Sequence, residues 1–362
     1  MANWREYTVD VRGQRVSVAE AGSGLPVLLL HGNSACKEVF QVEAFASAAK
    51  RNRLIAIDLP GHGRSADAEY PARTCTIPGY ASLMHDFICS HVNAQSVVVV
   101  GWSLGGHIAV ELLARAPMVS AVMAIGAPPA NLDTFQQAFQ TTECGHLAAA
   151  EQWADGDAVR YVAEKFGVAH AAGGPFLDAA RRADGRARSA LFQAFFAGEG
   201  VDQRNVAETV DRPLAIVCGE RDQGINLTYL SGIRYVNLWY DKIHVIQGAG
   251  HACFLDRPRR FSHLLNRFLA ATASQRSTRF CDALKAVGDA RSRQMERRVV
   301  ASRGRELAVE LSLLEWEALI AAGELHNQSI GDILYEVAGD AADVESALRT
   351  FLLATFRKQK GR

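Results

Sequence analysis

Short runs of β-branched and aliphatic residues alternate, over the first 270 positions, with longer stretches whose apolar residues recur every three or four. The short runs predict strands at Tyr7–Val11, Gln14–Glu20, Val27–His31, Arg53–Asp58, Ser96–Gly101, Ala121–Ile125, Pro213–Gly219 and Lys242–Ile246. Two of them, around Val97 to Val100 and Leu214 to Val217, are apolar without interruption. Strands covered by helices on both faces read that way, so the pattern predicts an α/β protein with a mostly parallel sheet. The first two strands, joined by Arg12-Gly13, read as an antiparallel hairpin at the sheet edge.

Between about residues 131 and 209 the strand signal stops. The stretch is alanine-rich and helical, with Phe135, Phe139, Trp153, Tyr161, Phe166, Phe176, Phe192, Phe195 and Phe196 spread along it. An all-helical insertion between two strands of a sheet is expected to cover the sheet as a lid. A helix ending near residue 271 closes the α/β pattern.

The chain then changes character. Residues 272–305 hold nine basic and three acidic residues. The expected organisation is an α/β domain over 1–271, a basic linker over 272–296 and a small module over 297–362. In that module Glu306 to Leu311 alternates like a strand, and Ser312-Leu-Leu-Glu315 is a capping box that opens a helix. Further helices are expected after Ser329 and over Asp343–Phe356.

Lys+Arg and Asp+Glu both number 39, so the formal net charge is zero and no global attraction to nucleic acid or anionic lipid is implied. Hydrophobic residues make up 49%, enough for a sizeable core. No apolar segment reaches the ~18 residues that span a bilayer, and the first residues lack the apolar core of a secretory signal. The seven cysteines are scattered, without a Cys-x-x-Cys pair or a Cys/His cluster. Reduced thiols, a cytoplasmic location, and neither metal nor organic cofactor are therefore expected.

The chemistry concentrates at Gly101-Trp-Ser-Leu-Gly105. This G-x-S-x-G follows an apolar strand and precedes a helical run, the context in which a serine sits raised on a strained turn. Ser103 is the expected nucleophile. A serine needs a base, and the base needs an orienting acid. Asp222 lies just past the strand ending at Gly219, with Glu220 as its competitor. His251 follows the last strand behind Gly248 and Gly250, whereas His244 lies inside that strand and reads as packed. The oxyanion needs two backbone donors. Leu104 N–H is one, and Asn33 N–H, in the loop after the third strand, is the other. His31, Asp58 and His62 read as architectural.

Together, His31-Gly-Asn33, Asp58 to Ser65, Gly101 to Gly106, Gly219 to Asp222 and Gly248 to His251 resemble the α/β-hydrolase superfamily over residues 1–271. The resemblance implies an α/β-hydrolase fold with a helical lid. Serine at the elbow is unlike the dehalogenase and epoxide-hydrolase branch, which carries aspartate there. A narrower resemblance rests on His31-Gly-Asn-Ser34, Gly101 to Ile108, Gly126-Ala-Pro-Pro129, Asp184-Gly-Arg-Ala-Arg188, Asn237-Leu-Trp239 and His244-Val-Ile. These are similar to the α/β-hydrolase-type N-acyl-homoserine lactonases, which open the lactone ring of bacterial quorum signals without a metal. That family has a lid tyrosine at the place of Tyr161 and a glutamate at the place of Asp222. The implied function is a serine esterase or lactonase with Ser103, Asp222 and His251 catalytic and with Asn33, Trp102 and Tyr161 touching substrate. A generic carboxylesterase or a carbon–carbon bond hydrolase is the alternative.

Residues 297–357 resemble a ribbon-helix-helix domain, notably at Trp316-Glu-Ala-Leu319 and Ser346 to Leu352. Such domains pair their strand with that of a second chain, and many insert the ribbon into DNA. A homodimer is therefore expected, with the strand lacking a partner in its own chain. Glu306 and Glu310 on the strand's outward face argue against tight DNA binding, and a ligand-sensing regulator is the rival reading.

Overall fold

The computed structural model describes residues 2–92 and 94–273 in full, the helix backbone on to residue 288, the strand segments 295–302 and 305–312, and scattered helical positions between 316 and 352. The chain divides into two compact units, one of residues 1–90 with 97–269 and one of residues 91–96 with 270–362.

The first unit is built on an eight-stranded sheet: β1 (Arg5–Val11), β2 (Gln14–Ala21), β3 (Leu25–Leu30), β4 (Asn52–Ile57), β5 (Val97–Trp102), β6 (Val119–Ile125), β7 (Leu214–Gly219) and β8 (His244–Ile246). The spatial order is β1-β2-β4-β3-β5-β6-β7-β8. Strands β1 and β2 form the expected antiparallel hairpin, β2 pairs antiparallel with β4, and β3 to β8 run parallel. All eight expected strands are present, with ends moved by one or two residues. Strands β3, β5 and β7 are buried along their whole length, as their uninterrupted apolar runs require.

Seven helices matter for the site. They are α1 (Ile77–Phe87), α2 (Leu104–Arg115), α3 (Asp157–Phe166), α4 (Pro175–Arg182), α5 (Gly185–Phe196), α6 (Gln203–Thr209) and α7 (Pro258–Gly288). The segment between β6 and β7 is helical and irregular, apart from a single bridge between Phe139 and Ile225, so the lid expectation is met in secondary structure. Lid residues Tyr161, Val162, Phe166, Phe176 and Leu177 are buried in the same apolar core as Val100, Trp102, Phe254 and Phe261.

In the second unit β9 (Met295–Ser302) and β10 (Arg305–Ser312) form an antiparallel pair, with Glu306 opposite Ala301 and Glu310 opposite Arg297. This corrects the expectation that the strand at Glu306 to Leu311 lacks a partner in its own chain. The basic linker expected over 272–296 ends in β9, which begins at Met295. Val299 and Val300 are β-branched and favour a strand within the basic run. With β10 paired in cis, the argument for a ribbon shared between two chains loses its premise. Trp316, Ala318, Leu319, Ala322, Ile333, Leu348 and Leu352 are buried helical positions; most of the helices expected at 312–323, after 329 and at 343–356 lies outside the described residues.

Candidate active site

Each singled-out catalytic residue lies just beyond the C-terminal end of a parallel strand: Asn33 after β3, Ser103 after β5, Asp222 after β7 and His251 after β8. Open α/β sheets collect their ligands at that edge because loops from several strands converge there.

Ser103 caps α2 with φ 53° and ψ −118°, a backbone conformation that a side chain rarely adopts. The glycines around it make the turn possible. A Cβ on Gly105 would come 1.9 Å from the Leu30 carbonyl oxygen, and one on Gly101 would come 2.0 Å from the Gly105 oxygen. The Ser103 N–H donates to the Ile125 carbonyl at 2.7 Å, which pins the elbow to β6. The first turn of α2 aims its free N–H groups toward this end, where negative charge is favoured.

His251 and Asp222 are joined by a 2.7 Å hydrogen bond between Nδ1 and Oδ2. Asp222 also accepts from the Gly224 N–H at 3.1 Å. Burial pushes the Asp222 carboxyl up, but the His251 charge and hydrogen bond, the Gly224 N–H and nearby Lys165 outweigh it and hold the carboxyl below its ordinary value. An ionised Asp222 keeps the proton of a neutral His251 on Nδ1 and leaves Nε2 as the base. Gly126, at φ +57°, makes room for the pair, since a Cβ there would meet His251 Cε1 at 2.9 Å. Glu220 is exposed and accepts from the Gly248 N–H at 2.8 Å, so it braces the histidine loop without touching the ring.

The loop after β3 lies against the nucleophile, for a Cβ on Gly32 would sit 3.2 Å from Ser103 Cβ. His31 is wholly buried there. The Leu59 N–H donates to its Nε2 at 3.0 Å, so its Nδ1–H donates to the Gly32 carbonyl at 2.7 Å. That bond orients the Gly32–Asn33 peptide, whose N–H is the expected oxyanion donor. Burial pushes His31 down to about 4 and its neighbour His62 down to about 3, so both rings stay neutral. Asp58 is fully buried, bonded to the Lys37 Nζ at 2.9 Å, to the Lys37 N–H at 2.7 Å and to the Arg64 N–H at 2.9 Å. All three residues hold loops, as the sequence suggested.

Trp102, expected to touch substrate, is buried. It is 1% exposed, sits in ring contact with Phe166 and Phe254, and donates its indole N–H to the His251 carbonyl at 3.0 Å. Its ring centroid also lies 5.5 Å from that of His251. Tyr161 is also buried, and its hydroxyl donates to the Asn33 carbonyl at 3.1 Å. The Asn33 side chain is engaged as well, its Nδ2 donating to the Ala148 carbonyl at 2.8 Å.

His107, one turn beyond Ser103 on α2, lies inside the Gly101 to Ile108 motif, which by itself assigns it no role. Its Nδ1 lies 2.8 Å from Gln203 Oε1 on α6, and the Gln203 amide donates back to the His107 carbonyl at 3.1 Å. Burial, with the nearby His251, lowers its pKa. A histidine four residues after the elbow serine was the available signal. Among the described residues no group of His, Cys, Asp and Glu could hold a metal ion, and no helix is long and apolar enough to cross a membrane.

Known proteins share this fold. The N-acyl homoserine lactonase AidH, solved in complex with N-hexanoyl homoserine, is 35% identical with a TM-score of 0.72, and the match covers 75% of this chain and 98% of that one. The same lactonase with N-butanoyl homoserine superposes with a TM-score of 0.69. A pimeloyl-[acyl-carrier protein] methyl ester esterase of Xanthomonas campestris is 28% identical over 264 residues, 69% of this chain and 97% of its own. The family model described as alpha/beta hydrolase matches residues 27–264. With the sheet order, the elbow and these matches in agreement, the chain belongs to the alpha/beta hydrolase family.

Proposed function

We propose that this chain is a serine hydrolase of esters or lactones, with N-acyl homoserine lactones as its substrate class. The observation that carries the reading is the 2.7 Å Asp222–His251 pair delivered by loops that flank the Ser103 elbow. Ser103 Oγ attacks the carbonyl carbon while His251 Nε2 takes its proton, and Asp222 stabilises the resulting imidazolium. Leu104 and Asn33 N–H groups receive the oxyanion. Collapse of the tetrahedral intermediate expels the alcohol oxygen, which takes the proton from His251. Water, deprotonated by His251, then hydrolyses the acyl-enzyme and frees Ser103. In a homoserine lactone the leaving hydroxyl is tethered to the acyl part, so the ring opens and the product leaves in one piece with one water added. No metal is required for these steps.

The lactone reading rests on the relative at 35% identity, whose two complexes hold acyl homoserines. Asp222 stands where that family carries glutamate, and either residue supplies the carboxylate that the histidine needs. The test is a panel of short- and long-chain acyl homoserine lactones beside methyl and p-nitrophenyl esters, with products read by mass spectrometry. Ring-opened acyl homoserine from the lactones is expected. Turnover of the simple esters without turnover of any lactone would make the chain a carboxylesterase instead.

A further inference from the structure

We infer that Arg188 is a positioning residue for the oxyanion loop, and that it acts by locking the lid onto Asn33 and Ser34. The inference rests on the proposed esterase chemistry and extends it to a residue of the lid.

Arg188 lies on α5, far from Ser103 in sequence, and is 4% exposed. Its Nε donates to the Ala150 carbonyl at 2.8 Å and its Nη2 to the Glu151 carbonyl at 3.2 Å. Its Nη1 donates to the Ala183 carbonyl at 3.2 Å and reaches Ser34 Oγ at 3.5 Å. The guanidinium carbon stands 4.0 Å from the centroid of the Trp153 ring. These contacts are to carbonyls, a hydroxyl and a π face, with no carboxylate among them. A buried cation held in this way is costly to place, and only a planar fork of several donors fits it.

The contacts converge on the oxyanion loop by three routes. Arg188 holds Ala150 and Glu151, next to the Ala148 carbonyl that accepts from the Asn33 side chain. It stacks on Trp153, whose ring is 5.1 Å from that of Tyr161, and Tyr161 donates to the Asn33 carbonyl. It also reaches Ser34 itself. Ser34 has φ +53°, a left-handed conformation that a serine holds only under external constraint. Without these clamps the Asn33–Ser34 link is free to relax, and the Asn33 N–H no longer aims at the developing oxyanion. Because the donor must be in place before charge develops, such a loss falls on kcat rather than on ground-state binding.

The clamp also has a mechanical consequence. The lid segment 147–161 and the start of α5 cannot lift away from the sheet without releasing the oxyanion loop.

The test uses the full chain with p-nitrophenyl butyrate. Arg188→Ala is expected to lower kcat by about 30-fold or more while KM changes by less than about 3-fold. Arg188→Lys, which keeps the charge without the fork, should be nearly as impaired, and it carries the test if the alanine variant does not fold. Added ethylguanidinium should restore kcat of the alanine variant several-fold, and ethylammonium should not. The rate at which a p-nitrophenyl phosphonate labels Ser103 should fall in parallel with kcat. A folded Arg188→Ala or Arg188→Lys with unchanged kcat would overturn the inference, as would a defect confined to KM. Wild-type protein inert to all esters and to the phosphonate would instead defeat the hydrolase reading on which the inference stands.

Discussion

At the scale of single residues the site depends on protonation states that burial dictates. Ser103→Ala is expected to reduce turnover by about 10³-fold or more, and Asp222→Asn to remove most activity while leaving the fold intact, because an amide cannot stabilise His251 as imidazolium. Glu220→Gln should be mild, since Glu220 touches only a backbone N–H of the histidine loop. Steady-state kinetics on one ester checks all three variants. His31 and His62 set a stability profile of their own. Folded, their pKa values are depressed to about 4 and about 3, whereas an unfolded chain takes up protons on them below about 6.5. Their neutral, folded forms therefore favour stability fully above that pH, and the benefit is lost progressively as pH falls toward 4. Each ring is expected to lower the unfolding free energy by about 2 kcal/mol between pH 6.5 and pH 5. Urea unfolding across that range should show the decline, and His62→Gln should reduce it by about half.

Among the elements, the lid is joined to the sheet by aromatic packing as much as by hydrogen bonds. Phe166, at the end of α3, lies 5.0 Å from Trp102 and 5.4 Å from Phe176. Trp102 in turn holds the His251 carbonyl, so one row of rings links the lid to the His251 loop. Phe166→Ala leaves a cavity in that row and should cost about 3–5 kcal/mol in stability by urea unfolding. A cost below 1 kcal/mol would mean that the lid packs independently of the sheet. The β1–β2 hairpin shows the same interplay at the opposite edge. Its inner strand pairs with β4 from Val18 to Ala21, so an antiparallel edge completes an otherwise parallel sheet.

For the whole molecule, the active site belongs to the first unit. Residues 27–264 match the family model, and the lactonase relative is covered to 98% by three quarters of this chain. A chain ending at residue 290 is therefore expected to turn over a small ester within a few-fold of the intact protein. A loss of two orders of magnitude in a truncated protein that remains folded would show that the C-terminal unit contributes to catalysis.

Chain order and local chemistry were enough to determine much of this protein. Uninterrupted valine and leucine runs specified which strands lie inside the sheet, because only strands covered on both faces bury every residue. The G-x-S-x-G after β5 specified the elbow, since glycine alone tolerates the approach of Leu30 and Gly105 backbone. Strand ends followed by Asp222 and His251 pointed to residues that the fold brings within 2.7 Å, because a parallel sheet brings its C-terminal ends together. Other features required the folded chain. That Trp102 is buried among Phe166, Phe254 and His251 depends on how the lid and the loops pack around β5. That β10 pairs with β9 depends on a charged stretch behaving as a strand, where pairing outweighs composition. The clamp of Arg188 on Asn33 and Ser34 joins residues more than 150 positions apart through carbonyls and a ring. Contacts of that kind carry no sequence signature, because any residue supplies a carbonyl and only tertiary packing decides which one is within reach.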